Sequence, residues 1–114
     1  MIVKLKKVVN LLEARVLGGS FNEDTEVLSA CGCDLMSDVL AFVKDQALLL
    51  TGLVNPQVVR TAEMMDMKAI VFVRGKTPGE DIINLANEAG IAVLSTDLPL
   101  YISCGKLYGE GLYK

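Results

Sequence analysis

The sequence predicts an α/β domain with a mostly parallel sheet flanked by helices. Short apolar segments of strand length stand at 47–50, 69–73 and 91–94, and a segment with helical periodicity follows each of them. The connections are short, and strands that alternate with helices pair in parallel through right-handed crossovers. The 114 residues contain no linker or internal repeat, so we expect a single domain over 1–114.

Local signals mark the strands and helix ends of the second half. Residues 69–73, AIVFV, are apolar at every position, as expected for a strand that is buried on both faces. Asn55 and Pro56 predict a helix start, because the missing N–H of proline costs nothing at the first helical position. Gly90 predicts a helix end in the left-handed conformation. We further expect Thr77 to cap a helix that begins at Pro78, residues 95–97 to cap the last helix, and Val58, Val59, Ala62, Met64 and Met65 to face the core.

The first half adds helices and further strands. Positions 5, 8, 9 and 12 are apolar and share one face of a helix over 4–13. Strands are predicted at 14–17 and 26–30. Asp34 or Ser37 can cap a helix that runs to about Lys44. The predicted buried face of that helix consists of Leu35, Val39, Leu40 and Val43.

Composition and missing motifs exclude several classes of function. The chain has no histidine, which removes Ser-His-Asp and Cys-His catalytic sites and the commonest neutral metal ligand. The net charge is −3 and no basic stripe is present, so nucleic acid is not an expected partner. Neither of the phosphate-binding patterns GxxxxGK[ST] and GxGxxG occurs. We therefore expect no catalytic activity and no cofactor.

The N-terminal segment and the cysteine count bear on location. Lys4, Lys6 and Lys7 interrupt the apolar positions of the first residues, so the segment is neither a signal peptide nor a membrane span. Three cysteines without a secretory signal are typical of a reducing compartment. We expect a cytoplasmic protein with no membrane partner.

Small and polar residues follow each strand of the second half. In an open parallel sheet, ligands bind beyond the carboxyl ends of the strands, near helix N-termini. Backbone N–H donors and the cations of the middle loop, RGKT, suit an anion such as phosphate or carboxylate. The expected ligand-binding residues are Thr51, Gly52, Asn55, Arg74, Gly75, Ser95 and Thr96.

Two other features offer alternatives to this ligand site. Cys31 and Cys33 form a CxC pair that, with Cys104, supplies three thiolates to a metal or iron–sulfur site, which usually needs four ligands. Methionines 64, 65 and 67 cluster at one helix end, and methionine packs adaptably at interfaces. This cluster favours either core packing or an apolar face that docks on another protein.

The run LLLTGLVNPQVVRTAEMMDMKAIVFVRGKTPGEDIINLANEAGIAVLST, with the upstream GCDLMSDVLAFV, resembles the DRTGG domain. That family is similar to the N-terminal domain of HPr kinase/phosphorylase. The resemblance covers roughly residues 4–112 and rests on the order of strands, turns and helices, because the letters of the family name do not stand together here. It implies an α/β sandwich without kinase activity, since the kinase activity belongs to a separate P-loop domain.

The resemblance also carries expectations about assembly. Such domains are often dimeric and occur beside catalytic or nucleotide-sensing domains, and short forms accompany iron-only hydrogenase systems of anaerobic bacteria. Three hypotheses follow: a homodimeric regulatory domain that binds a small anionic metabolite or nucleotide, an accessory module that docks on a redox-system protein, and a cysteine-ligated metal or iron–sulfur protein.

Overall fold

The computed structural model describes residues 2–42 and 46–113 and confirms the α/β class. The strands are β1 (Val3–Lys4), β2 (Arg15–Gly18), β3 (Glu26–Val27), β4 (Ser29–Gly32), β5 (Ala47–Thr51), β6 (Ala69–Phe72) and β7 (Ala92–Ser95). The helices are α1 (Leu5–Leu12), α2 (Met36–Phe42), α3 (Pro56–Met64), α4 (Glu80–Ala89) and α5 (Leu100–Gly109).

The main sheet has five strands in the order β2-β7-β6-β5-β4. Strands β4 to β7 pair in parallel, and β2 joins the edge of β7 in the antiparallel direction. Because the order of β4 to β7 advances in one direction, crossovers of one hand place α2, α3 and α4 on the same face. A separate antiparallel pair, β1 and β3, stands beside α1.

The sheet separates two apolar clusters. On one face, side chains of α1 and α5 pack against alternate residues of the central strands, including Leu50, Val71 and Leu94. On the other face, α2, α3 and α4 cover the intervening residues, including Leu49 and Phe72. Residues of β5, β6 and β7 are buried throughout, because helices cover both faces of these strands.

Two of the helix-end predictions are confirmed. The Asn55 side chain accepts a hydrogen bond from Gln57 N at 2.8 Å and caps α3, with Pro56 at its first position. Gly90 ends α4 with φ 72°. Both signals depend on residues within a few positions of the helix end, so the local sequence is sufficient to specify them.

Other helix starts differ from the prediction. Thr77 does not cap α4: the N-cap is Gly79, and Pro78 lies buried before the helix. The N-cap of α5 is Pro99 instead of residues 95–97. Ser95, Thr96 and Asp97 bond to Lys76, Leu12 and Arg15, whereas the Thr77 hydroxyl donates to Gly75 O, two residues before it.

The segment predicted as one strand at 26–30 forms two. Its first part, β3, pairs with β1, and its second part, β4, joins the main sheet. Leu28, between them, donates its N–H to Gln46 O at 3.1 Å. A strand pattern alone does not reveal that the partner changes after two residues.

The predicted buried faces of α2 and α3 need correction. Leu35 is 58% and Leu40 40% exposed, whereas Met36 and Val39 are buried; Val43 and the predicted end at Lys44 lie outside the described residues. In α3, Met64 is 70% exposed. Among the described residues, no helix has both the length and the apolar character required to cross a membrane.

Candidate ligand site at the carboxyl ends of the strands

A cleft of about 270 Å³ lies where the carboxyl ends of β4, β5 and β6 meet the start of α5. Parallel pairing brings these strand ends to one edge of the sheet. The apolar part of the wall consists of Val73, which follows β6, and of Pro99 and Leu100 at the start of α5. The lining residues are Asp34, Gly52, Val73, Arg74, Pro99 and Leu100.

Asp34 follows β4 and holds the neighbouring strand end in place. Its Oδ1 accepts a hydrogen bond from Thr51 Oγ1 at 2.9 Å and another from Gly52 N at 2.8 Å. Thr51 is fully buried, and its hydroxyl oxygen also accepts a bond from Leu53 N at 3.1 Å. Hydrogen bonds to an ionised carboxylate are stronger than neutral ones, so Asp34 fixes the turn after β5.

Arg74 follows β6 with a positive φ of 56°, and Gly75 continues with φ 70°. A residue with a side chain rarely adopts this left-handed conformation. Two backbone bonds fix it: Arg74 N donates to Leu98 O at 2.9 Å, and Gly75 N donates to Thr96 O at 2.8 Å. These N–H groups therefore serve the fold, and the guanidinium is the group that faces outward.

The Arg74 side chain is exposed, and within residues 2–42 and 46–113 it makes no hydrogen bond and no ion pair. Three salt bridges are found in that part of the chain, and each engages a different cation: Lys4, Lys7 or Arg15. An unpaired guanidinium at the mouth of a cleft is available to an anion.

Gly52 forms the floor between the two charged side chains. A Cβ placed on Gly52 would lie 3.6 Å from Arg74 Nη2 and 3.7 Å from Asp34 Oδ2. The carboxylate and the guanidinium therefore approach one point, although they do not come within the 4.0 Å of an ion pair. The missing side chain at Gly52 keeps the space between them open.

Two other predicted residues, Ser95 and Thr96, have buried hydroxyls that are engaged within the protein. Ser95 Oγ donates to Lys76 O at 2.8 Å and accepts from Arg15 Nη2 at 3.3 Å. Thr96 Oγ1 donates to Leu12 O at 2.6 Å and accepts from Leu98 N at 3.2 Å. These hydroxyls fasten the end of β7 to neighbouring segments.

The remaining predicted residues lie beside the cleft. Asn55 Oδ1 is engaged as the cap of α3, and Gly75 stands next to Asp97, whose Oδ1 would lie 3.3 Å from a Cβ at that glycine. Of the seven residues, Gly52 and Arg74 line the cleft, and Thr51 contacts its wall through Asp34.

Asp34 belongs to the cleft, although the sequence suggested only a helix cap for it. The available signal was its position: it follows an apolar strand, as the other site residues do. A carboxylate at such a position caps a helix or reaches the adjacent strand end, and the residue type does not distinguish the two.

The three cysteines, Cys31, Cys33 and Cys104, are free thiols near strand β4. Cys104 packs against the backbone of Gly32, on the face covered by α5. Burial raises the pKa of the Cys31 thiol, and Cys33, Cys104 and Asp38 add to this shift; burial also raises the pKa of Cys104. Metal ligation needs thiolates, which these shifts disfavour.

The positions of the Cys, Asp and Glu side chains also bear on the metal hypothesis. In the described part of the chain, no three Cys, Asp or Glu side chains are placed to hold one metal ion. The arrangement of the cysteines therefore does not support the metal or iron–sulfur hypothesis.

A second surface lies on the outer side of α5. Tyr101 is 85%, Tyr108 61% and Tyr113 64% exposed, and Ile102 stands beside them. The rings of Tyr108 and Tyr113 meet edge to face, with centroids 5.0 Å apart. Large exposed aromatic side chains that adjoin each other are typical of protein interaction surfaces.

Comparisons with known proteins identify relatives of this fold. The family model of the DRTGG domain matches residues 7–101. A solved structure contains the CBS and DRTGG domains of the regulatory region of Clostridium perfringens pyrophosphatase, complexed with its activator, diadenosine tetraphosphate. It superposes with a TM-score of 0.76 and 14% sequence identity, over 91% of this chain and 45% of that one. This chain thus spans less than half of the chain in that structure, and the likeness shows a shared fold. No curated protein sequence matches the chain.

Proposed function

Because the chain belongs to the DRTGG domain family, whose model matches most of its length, we propose that it is a non-catalytic regulatory domain that binds a small anionic metabolite or nucleotide. The ligand lies at the carboxyl ends of the strands. The observation that carries this proposal is Arg74. Its guanidinium makes no hydrogen bond or ion pair within residues 2–42 and 46–113, and its backbone is held in left-handed conformation at the mouth of the cleft. Strained residues that surrounding structure holds in place occur frequently at ligand sites.

The start of α5 supports an anion at this position. Its N-cap, Pro99, has no side-chain oxygen to offer the first N–H groups of the helix, and Leu100 lines the cleft. Uncapped N–H groups and the helix dipole favour a negative group. Arg74 and the helix start therefore attract the same kind of ligand from two directions.

The roles of the expected residues follow from their contacts. Arg74 contacts the anion, Gly52 provides space for it, and Thr51 positions Asp34. Asn55, Gly75, Ser95 and Thr96 shape the turns that surround the cleft. A volume of about 270 Å³ lies just below the roughly 300–1,000 Å³ of sites for drug-sized ligands, so a small metabolite or one part of a nucleotide fits.

The relative's printed description is consistent with this proposal. The regulatory region of the Clostridium perfringens pyrophosphatase was solved with a nucleotide activator. That region contains both CBS and DRTGG domains, so the description does not assign the activator to either. Nucleotides are therefore one of the ligand classes to be tested on this chain in the thermal-shift screen described next.

A thermal-shift screen with the Arg74→Asn variant tests the proposal. Asparagine tolerates left-handed backbone and removes the charge. A ligand at a hundred times its Kd stabilises by about 2.7 kcal/mol, and each kcal/mol raises Tm by roughly 4–8 °C in a domain near this size. We expect one class among nucleotides, phosphorylated sugars and small carboxylates to raise Tm in the wild type and not in Arg74→Asn.

Arg60→Gln is the matched control, since Arg60 is an exposed cation of α3 that does not line the cleft. It should retain the full shift. A ligand-induced shift that survives in Arg74→Asn would place the site elsewhere, and a screen without any shift would exclude the ligand classes tested.

The tyrosine surface of α5 favours a second function, which we propose as homodimerisation. Tyr108 and Tyr113 line a cleft together with Ala30 and Gly32 of β4, the edge strand beside β5, and Tyr101 and Ile102 extend the surface along α5. Stable interfaces bury about 800 Å² on each partner. A fully buried tyrosine covers roughly 150–250 Å², so three tyrosines that are 61–85% exposed can supply about half of that area. Residues around them complete the area.

Sedimentation equilibrium of the Tyr101→Glu/Tyr108→Glu variant tests the dimer. We expect the wild type to be a dimer at micromolar concentration and the variant to be a folded monomer whose melting temperature no longer depends on protein concentration. Met64→Glu, which places a charge on the opposite helical layer, should remain a dimer. A monomeric wild type would instead favour the accessory-module hypothesis, with a redox-system protein as the occupant, testable by cross-linking in an anaerobic host.

A further inference from the structure

We infer that the cleft recognises a hydroxyl group as well as an anion, and that Asp34 is the residue that selects it. The expected ligand class is a hydroxylated phosphate ester, either a phosphorylated sugar or the ribose phosphate part of a nucleotide. The inference rests on the proposed function, because it assigns the anionic group of the ligand to Arg74.

The two oxygens of Asp34 have different surroundings. Oδ1 accepts the bonds from Thr51 Oγ1 and Gly52 N at 2.9 and 2.8 Å. Oδ2 has no hydrogen-bond donor among residues 2–42 and 46–113. Both oxygens border the space above Gly52, with Oδ2 at 3.7 Å and Oδ1 at 3.8 Å from the position of a Cβ on that residue. Asp34 thus uses Oδ1 to hold the turn after β5, and its Oδ2 remains available to a ligand in the cleft.

The position of Arg74 determines what can use that oxygen. Its Nη2 approaches the same point to 3.6 Å, yet the carboxylate and guanidinium remain beyond ion-pair distance. A purely anionic ligand would meet Arg74 favourably and Asp34 unfavourably. A ligand that presents a hydroxyl to Oδ2 and a phosphate to Arg74 satisfies both groups, since a carboxylate accepts from hydroxyl donors.

A carboxylate beyond a strand end is a general device for binding ribose. In doubly wound α/β folds an acidic residue at such a position accepts from a ribose hydroxyl while the phosphate lies at a helix N-terminus. Here the acidic residue follows β4, the helix start belongs to α5, and Arg74 follows β6, on the other side of the end of β5. The apolar wall of Val73, Pro99 and Leu100 suits the carbon face of a sugar.

The Asp34→Asn variant tests the role of Asp34 in ligand selection and keeps its hydrogen bonds with Thr51 and Gly52. The asparagine Oδ1 can accept the same two bonds, whereas its Nδ2 replaces the free carboxylate oxygen with a donor. The probes are ribose 5-phosphate and inorganic phosphate, titrated calorimetrically. We expect the wild type to bind ribose 5-phosphate at least tenfold more tightly than phosphate. In Asp34→Asn, ribose 5-phosphate should bind at least tenfold more weakly, with phosphate unchanged or tighter.

Asp38→Asn controls for the loss of one negative charge, because Asp38 is an exposed carboxylate at the start of α2. It should leave both affinities unchanged. An equal change for both probes in Asp34→Asn, or no preference for ribose 5-phosphate in the wild type, would overturn the role of Asp34 while leaving the anion site intact. Phosphate and ribose 5-phosphate that bind regardless of Arg74→Asn, or do not bind at all, would overturn the anion site as well.

Discussion

The loops after β4, β5 and β6 and the loop after β7 stand at the same edge of the sheet, but their polar groups are used differently. In the cleft, Asp34 Oδ2 and the Arg74 guanidinium lack partners within the described chain. At the end of β7, the hydroxyls of Ser95 and Thr96 each make two hydrogen bonds. The polar groups at this edge thus bind the protein itself at the end of β7 and remain available to a ligand in the cleft.

This contrast separates stability from binding. Polar groups that are buried and bonded stabilise the fold, and removal of one partner leaves the other unsatisfied. Exposed groups without internal partners contribute little to stability and can be changed at small cost. Substitutions on the β7 side should therefore affect unfolding, and substitutions in the cleft should affect ligand affinity.

The largest effect is expected for Thr96→Val, which removes a buried hydroxyl and keeps the side-chain volume. Leu12 O and Leu98 N would each lose a partner, and we expect a loss of about 2 kcal/mol in the free energy of unfolding. Urea unfolding measures it. Thr77→Val, at an exposed threonine with a 3.4 Å bond to Gly75 O, should change stability by less than about 0.5 kcal/mol. An equal loss of unfolding free energy in Thr96→Val and Thr77→Val would contradict the distinction between hydroxyls that stabilise the fold and hydroxyls that do not.

A glycine pair tests the comparison more finely. Gly75 has φ 70°, so Gly75→Ala should cost about 1 kcal/mol. Gly52 lacks a positive φ, and its added Cβ would meet the nearest atoms at ordinary distances, so Gly52→Ala should stay within about 0.5 kcal/mol of the wild type. Calorimetry should then show that Gly52→Ala loses ligand binding because the cleft floor is filled. Retained binding in Gly52→Ala would contradict the assigned position.

Arg74→Asn should be as stable as the wild type or up to about 1 kcal/mol more stable, because asparagine adopts positive φ more readily than arginine. Thermal unfolding without ligand measures this. The control, Arg60→Asn in helix α3, should be destabilised slightly by its lower helix propensity. A strongly destabilised Arg74→Asn would show that the guanidinium supports the fold instead of a ligand.

The smallest effect is expected for the thiol of Cys31, in strand β4. Burial raises the pKa of Cys31 above the ordinary 9.0, so the folded state holds this proton more tightly than the unfolded chain. The resulting stabilisation is present below pH 9 and is lost as pH rises through the folded pKa. We expect Cys31→Ala to lose less stability between pH 8 and 10 than the wild type. Urea unfolding of both proteins at pH 8 and at pH 10 measures the difference. An identical loss of unfolding free energy in the wild type and in Cys31→Ala would refute the prediction.

Local sequence was sufficient where the physical cause is local. The run Ala69–Phe72 is buried on both faces as its apolar pattern predicts, Asn55 caps α3 through Gln57 N, and Gly90 ends α4. Each of these depends on side chains within a few positions. The predicted caps Thr77 and Ser95 to Asp97 were wrong because α4 and α5 begin later in the chain, after Gly79 and Pro99.

The sequence by itself therefore determined the fold class, the parallel order of strands and helices, and the edge of the sheet where polar loops gather. Only the tertiary structure decided which of those loops is bonded internally. Asp34 bonds to Thr51 across 17 positions, and Thr96 bonds to Leu12 across 84. Hydrogen bonds over such separations depend on how strands and helices pack, so residue type and spacing along the chain do not reveal which charge remains free.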